Sequence, residues 1–323
     1  MVVMKVSIVG ARRARNGIGE YIGRFFHKNG ARVSSVLGTT EQTSLDAASW
    51  LKKYGIDALP YTDFLRMVEK ESPDAVVIAS PSSTHYEYLV KCIDAGVHVF
   101  CEKPFFWLET GDVLGLTESL LETARSKKLT IAMNSQWPFA IQFYEKLCGC
   151  IDAQKADTFF IKLCPTVRGK EMIPESVPHA LSILYFVIGR GDLENLRLEV
   201  SQRRILITFT WVSDGNNCEV LVELVEKKRQ PRQLLFGFNG KIVNRTLDLK
   251  TYDIYFNYNT ETLRIVDPVE LSVRDFIGAV SERREPVIGY SHILSNMSSL
   301  KEIYDRFVST VGNMNGTVAR QRA

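Results

Sequence analysis

Residues 75–104 read AVVIASPSSTHYEYLVKCIDAGVHVFCEKP (Ala75–Pro104), and this stretch decides the fold. Ala75–Ala79 is apolar without alternation, the mark of a strand covered on both faces, as strands of a parallel sheet are. Ser80-Pro-Ser-Ser-Thr-His85 is a turn that opens a helix over Tyr86–Ala95; Gly96 stops it, and Val97–Cys101 is the next strand. Strand, turn, helix and strand in that order form a βαβ unit.

Working outward, the same alternation repeats. Lys5–Val9 is β-like, Gly17–Lys28 reads as a helix, Ala31–Leu37 returns to β-branched and apolar residues, and Leu45–Tyr54 is helical with Gly55 as its stop. A short helix over Tyr61–Glu71 follows, and past Pro104 come a helix over Leu114–Lys127 and a strand over Leu129–Met133. The pattern predicts an α/β, doubly wound parallel sheet over residues 1–133.

Beyond residue 134 the texture changes. Ile205–Trp211, Cys218–Glu226 (CEVLVELVE) and Tyr252–Tyr258 alternate apolar with polar, as antiparallel strands with one wet face do. Turn signals fall at Ser213–Asn217, Asn239-Gly240 and Asn257–Thr260. Helices over Ser176–Val187, Ser272–Arg283 and Ser291–Val308 are set against that sheet. Residues 134–311 are therefore expected to form an α+β substrate and oligomerisation domain with a large, mostly antiparallel sheet, and residues 312–323 a flexible tail.

Composition bounds the function. With 45% hydrophobic residues among 323, the chain has enough apolar mass for two cored domains. Forty Lys and Arg against 37 Asp and Glu leave a formal charge of +3, too even a balance for a nucleic-acid or membrane-surface partner. The short basic runs Arg203-Arg204 and Lys227-Lys-Arg229 read as solvated strand edges. Apolar runs are strand-sized, so no membrane span is expected, and the start of the chain lacks the order of a secretory signal; a cytoplasmic protein is the plain expectation. Six cysteines are scattered in apolar context; Cys148-Gly-Cys150 has no second pair or nearby His to complete a metal set, so none is expected, and plain thiols suit a reducing compartment.

The first strand runs into Gly10, and the chain passes through Ala11-Arg-Arg-Ala-Arg-Asn16 before Gly17-Ile18-Gly19. Glycines there let backbone N–H groups reach a pyrophosphate whose charge is met by the helix N-terminus. The spacing from Gly10 to Gly17 is longer than G-x-G-x-x-G, as if residues had been inserted. Arg12, Arg13 or Arg15 is expected to clamp a phosphate, the alternative being a surface loop with solvated arginines. The second strand ends Val36-Leu37-Gly38-Thr39-Thr40, with no carboxylate before Glu41. Hydroxyls and nearby arginines in place of the ribose-binding acid favour NADP(H) over NAD(H).

Glu102-Lys103-Pro104 leaves two charges at the end of a buried strand, a costly placement unless they face a cleft at the sheet's carboxyl edge; an adjacent solvated pair is the bland alternative. Here the sequence resembles the Gfo/Idh/MocA oxidoreductases, the glucose-fructose oxidoreductase and inositol dehydrogenase family. Ala95-Gly-Val-His-Val-Phe-Cys-Glu-Lys-Pro104 is similar to the family's central E-K-P mark, Pro81-Ser-Ser-Thr-His85 after Ser80 to its Pro-x-x-x-His turn, and Asn134 with Pro138 to its entry into the second domain. The resemblance implies that Ser80, Pro81, Ser82, Thr84, His85, Glu102 and Lys103 join Gly10, Gly17, Ile18, Gly19, Thr39 and Thr40 around the cofactor.

The family's acid and histidine, four residues apart on a helix, correspond to Glu175-Ser-Val-Pro-His179. Four-residue spacing puts both on one helical face if that turn is formed; Pro178 could instead start the helix and leave Glu175 in the loop, with Ser176 as the other possible partner. The resemblance implies hydride transfer to or from a sugar, sugar nucleotide or polyol held in an interdomain cleft. His179 would be the acid/base, Lys103 the oxygen's hydrogen-bond donor and Glu175 the imidazole's support. Gln136, Trp137 or residues of Cys164–Arg168 are candidates to line the pocket. Imine or tetrapyrrole reduction and a non-catalytic redox sensor are the alternatives. A homodimer or homotetramer through the second sheet is expected.

Overall fold

The computed structural model describes residues 3–11 and 18–320, with side chains described as far as residue 312. The chain groups into two compact units, Met1–Ser135 with Val269–Leu294, and Gln136–Pro268 with Ser295–Ala323.

The first unit contains β1 (Lys5–Val9), α1 (Gly19–Lys28), β2 (Arg32–Leu37), α2 (Glu41–Lys52), β3 (Leu59–Tyr61), α3 (Phe64–Glu71), β4 (Ala75–Ile78), α4 (His85–Asp94), β5 (His98–Glu102), α5 (Val113–Ser126) and β6 (Ile131–Asn134). Its sheet has the order β3-β2-β1-β4-β5-β6, and every pairing is parallel. The doubly wound expectation holds. Strand order reverses between β1 and β4, the place where such sheets open a crevice at their carboxyl ends. Every residue of β4 is buried, which is why its sequence never alternates.

In the second unit α6 (Ile141–Cys148), β7 (Thr158–Leu163) and α7 (Met172–Ile188) precede a run of strands. These are β8 (Gly191–Val200), β9 (Arg204–Ser213), β10 (Asn216–Val225), β11 (Leu234–Phe238), β12 (Lys241–Leu247), β13 (Ile254–Tyr258) and β14 (Glu261–Ile265). The sheet order is β14-β13-β12-β11-β7-β10-β9-β8, antiparallel throughout except where β10 runs parallel to β7. Phe159, Ile161, Val222, Phe236 and Phe256 are buried on its inner face. Asn239 and Gly240 both take positive φ at the β11–β12 hairpin, the conformation that makes Asn-Gly a turn signal.

Two C-terminal helices close the chain, α8 (Pro268–Glu282) and α9 (Tyr290–Arg320). Here the structure departs from the expected division at residues 134 and 311. From α8, Val269, Val273 and Phe276 are spaced for one helical face and are buried in the core of the first unit with Ile8, Phe26 and Phe100. Phe276 meets Phe26 and Phe100 edge-on, with ring centroids 6.0 and 5.4 Å apart. The sequence shows that this helix has an apolar face but not which sheet the face covers. Residues 312–320, expected in a flexible tail, continue α9. Among the described residues no helix is long and apolar enough to cross a membrane, and no cluster of His, Cys, Asp and Glu could hold a metal ion.

Candidate active site

Parallel pairing aligns the carboxyl ends of the first unit's central strands. Val9 pairs with Ile78, Ile78 with Cys101, and Glu102 with Asn134. Gly10, Ser80, Lys103 and Asn134 therefore stand along one edge at the usual interstrand spacing of about 4.8 Å. Gly10 has φ +78, and a Cβ there would lie 2.7 Å from the Ser80 backbone; one on Gly19 would lie 2.6 Å from the Gly10 carbonyl. Strand end, turn and helix start are thus packed backbone to backbone. Among the described residues no side chain caps the start of α1, where Ile18 is the cap residue, and the first N–H groups of such a helix suit an anion. These features fit a dinucleotide pyrophosphate. Arg12, Arg13, Arg15 and Gly17 lie outside the described residues.

At the end of β2, Thr39 and Thr40 are exposed. Thr40 also caps α2: its hydroxyl accepts from the Thr43 amide at 3.2 Å, and its own amide donates to Thr43 Oγ1 at 2.9 Å. Glu41 sits in the first turn of that helix.

The turn after β4 is tied to itself and to the E-K-P segment. Ser80 Oγ and Thr84 Oγ1 are 2.7 Å apart, and Thr84 Oγ1 donates to the Pro81 carbonyl at 2.8 Å. Ser82 begins a short 3-10 turn. His85 is fully buried, with Nε2 2.8 Å from the Ser80 carbonyl oxygen and Nδ1 2.9 Å from that of Pro104. The resemblance puts His85 among the cofactor's contacts; the structure instead encloses it as a clamp between the two loops.

Glu102 is buried, and Asn134 Nδ2 donates to its Oε1 at 2.5 Å. The enclosed Asn134 side-chain oxygen has no hydrogen-bond partner among the described residues. Lys103, half-buried, follows directly and precedes a cis peptide to Pro104. The register Glu102↔Asn134 explains the pairing: adjacent strands end together, and the amide takes the carboxylate that water cannot reach.

In the second unit α7 starts at Met172, earlier than its expected start at Ser176, because Pro174 and Pro178 are both accommodated. Glu175 therefore lies in the helix, four residues before His179 and on the same face, a spacing that brings Cβ atoms to about 5–6 Å. Pro178 lies inside the helix, and its carbonyl accepts from Asn296 Nδ2 at 2.9 Å. Ser176 is buried, and His179 is 8% exposed. Trp137 meets the His179 ring edge-on, centroids 6.5 Å apart, so the imidazole has one aromatic wall.

Two groups on the sheet were not singled out by sequence. Glu226 follows Cys218, Val220, Val222 and Leu224 on the inward parity of β10, unlike Glu219 and Glu223. Its side chain is 0% exposed, with Arg168 Nε at 2.6 Å and Arg203 Nε at 2.9 Å. The Arg168 hydrogen bond and charge hold its carboxyl below the usual range despite burial. Arg203, expected as a solvated edge, is a partner of this acid. Arg245 is the other group, sharing the inward parity of Val243 on β12. Parity with buried neighbours was the available signal for both.

Residues 4–135 match the model of an oxidoreductase family, GFO_IDH_MocA, with an NAD-binding Rossmann fold. The UDP-N-acetylglucosamine 3-dehydrogenase of Acidithiobacillus ferrooxidans is 31% identical over 117 residues, 36% of this chain and 34% of that protein. Inositol 2-dehydrogenase 2 of Saccharopolyspora erythraea is 36% identical over 76 residues, 24% of this chain and 21% of that protein. The matched segments thus span about a third or less of those relatives. In fold the likeness extends further: a solved dehydrogenase from Chromobacterium violaceum superposes with TM-score 0.72 at 15% identity over 99% of both chains. A solved form of the Acidithiobacillus enzyme does so with TM-score 0.70 at 15% identity, over 95% of this chain and 98% of that one.

Proposed function

We propose that the chain, whose residues 4–135 match the Gfo/Idh/MocA oxidoreductase family model, is a nicotinamide-dependent oxidoreductase of that family. It oxidises or reduces a hydroxyl- or carbonyl-bearing carbon of a sugar, sugar nucleotide or related polyol. The observation that carries this reading is the position of Lys103, one residue beyond the buried Glu102–Asn134 pair and on the edge that bears Gly10 and Ser80.

When bound, the nicotinamide ring supplies or accepts the hydride. The α1 N-terminus, with Arg12, Arg13 or Arg15, binds the pyrophosphate. His179 takes the hydroxyl proton as the carbon is oxidised and returns it in reduction, while Glu175 steadies the imidazole and Trp137 walls it. Lys103 donates a hydrogen bond to the same oxygen; a donor placed where negative charge develops contributes about 3 kcal/mol in sites of this kind.

NADPH is the preferred cofactor, supported by the exposed Thr39 and Thr40 and by the commitment of Glu41 to the first turn of α2. A homodimer or homotetramer forms through the outer face of the second sheet, where Phe160, Leu206, Leu221 and Leu235 are only partly buried. Light scattering on the purified protein tests that assembly. The function is tested by titrating the protein with NADPH and NADH and then assaying keto-sugars, aldoses and inositols. Turnover of a carbohydrate with tighter NADPH binding supports it, and failure to bind either dinucleotide overturns it.

A further inference from the structure

The end of the second sheet beside α7 gathers cations around few anions. Leu163 of β7 pairs with Leu224 on one side and Leu234 on the other, and Leu234 pairs with Arg245. One step past Leu224 is the buried Glu226 with Arg168, Arg203 and, at 4.0 Å, Lys228. On the far side of β7, Arg245 Nη2 donates to the Arg232 carbonyl at 2.6 Å, and its enclosed Nε has no acceptor among the described residues. Burial and the neighbouring Arg232 charge both disfavour the Arg245 cation, with Asp267 acting in the other sense. A buried guanidinium with an unanswered N–H, held against the backbone of a second arginine, makes a receptor for an oxyanion.

This receptor lies near the proposed acid/base. The Arg245 guanidinium carbon is 5.9 Å from the centroid of the Trp137 ring whose edge meets His179 at 6.5 Å. Guanidinium and imidazole therefore stand no farther apart than about 12 Å, a separation that one sugar bearing a charged substituent spans.

We propose that Arg245, with Arg232, binds an anionic group of the substrate, a phosphate or a carboxylate, so that the protein acts on a charged carbohydrate rather than a neutral polyol. The inference rests on the proposed oxidoreductase function and deepens it. Arg245 is a specificity residue, set to read charge at a fixed distance from the carbon that reacts.

The test uses full-length protein saturated with NADPH, so that the pyrophosphate site is filled. Calorimetric titration with inorganic phosphate and with glucuronate is compared in the wild type, Arg245→Met, Arg245→Lys and Arg232→Gln. Binding of at least one anion by the wild type, weakened about tenfold or more in Arg245→Met and partly restored in Arg245→Lys, is expected; the anion that binds distinguishes a sugar phosphate from a sugar acid. Should Arg245→Met fail to fold, Arg232→Gln is expected to weaken the same anion. In turnover, charged sugars are expected to outperform their neutral parents, with Arg245→Met raising KM and leaving kcat nearly unchanged. Wild-type protein that binds neither anion, or a variant that binds as tightly, overturns the proposal. Turnover of neutral and charged members alike, with equal effects of the variant on both, overturns it while leaving the oxidoreductase reading intact. Loss of dinucleotide binding in the wild type would fail that reading instead.

Discussion

Truncating Phe276 to alanine removes the aromatic anchor by which α8 returns to the first unit. The side chain is 0% exposed and stands edge-on to Phe26 and Phe100, which belong to α1 and β5. Both partners sit in regular elements, helix α1 and strand β5, which hold their rings in place. Removing a fully enclosed phenyl group destabilises by about 3–5 kcal/mol, of which each edge-on aromatic pair supplies about 0.5–1.5 kcal/mol. Against a typical domain stability of about 5–15 kcal/mol, the variant still folds but is markedly weaker. In a domain of this size the melting temperature falls by about 6–20 °C. Urea unfolding followed by circular dichroism gives the number, with Phe276→Leu expected to lose about 1.5 kcal/mol or less and the exposed Val308→Ala to stay within about 0.5 kcal/mol. A Phe276→Ala loss below about 1 kcal/mol would refute the packing argument.

Three further outcomes follow from the side-chain environment. Burial disfavours ionisation of Glu71 and Glu270, but Tyr61 and Lys5 for the first, and Lys28 and Arg274 for the second, outweigh it and hold both below the ordinary value of 4.5. The folded state then binds fewer protons than the unfolded, so these groups' stabilisation is present above about pH 4.5 and lost as pH falls through their folded values. Urea midpoints should drop in that window, less steeply in Glu71→Gln with Glu270→Gln, and equal slopes would contradict the assignment. Of the six free cysteines Cys150 is exposed, while burial pushes the Cys218 thiol up to about 12 and raises that of Cys101. A thiol reagent should modify one cysteine in the native protein and six in denaturant, and rapid native reaction of several would contradict the burial. Asn134→Ala removes one hydrogen bond from the buried Glu102 carboxylate, with a loss of about 1–3 kcal/mol expected by urea unfolding and none if the pair is incidental.

The parallel sheet was legible because buried strands such as Ala75–Ile78 have no polar alternation and glycines punctuate the helices. Sequence did not reveal β3, a three-residue edge strand with an exposed Leu59 and a central Pro60, of which only Tyr61 falls in the helix expected over Tyr61–Glu71. Nor did β8 stand out, since its register shifts between Glu194 and Arg197 and Asn195 takes φ +56, breaking the two-residue period. The α8 face was visible but its partner was not, because amphipathicity says that a stripe is buried and not against what. In the candidate site, Lys103 and the Glu175–His179 spacing were readable, the second even through two prolines. Glu226 and Arg245 were not, because a charge on an inward parity looks the same in sequence as a strand that has ended. The clamp role of His85 depends on two carbonyls from separate loops and has no local sequence signal.

The most direct test is turnover followed by the absorbance of reduced nicotinamide, with a carbohydrate found active, in Lys103→Met and His179→Gln. The account predicts that both variants bind NADPH as the wild type does and that each loses about a hundredfold or more in kcat, the loss expected when a placed donor or proton carrier is removed. Variants that bind the dinucleotide normally and turn over at the wild-type rate would contradict it.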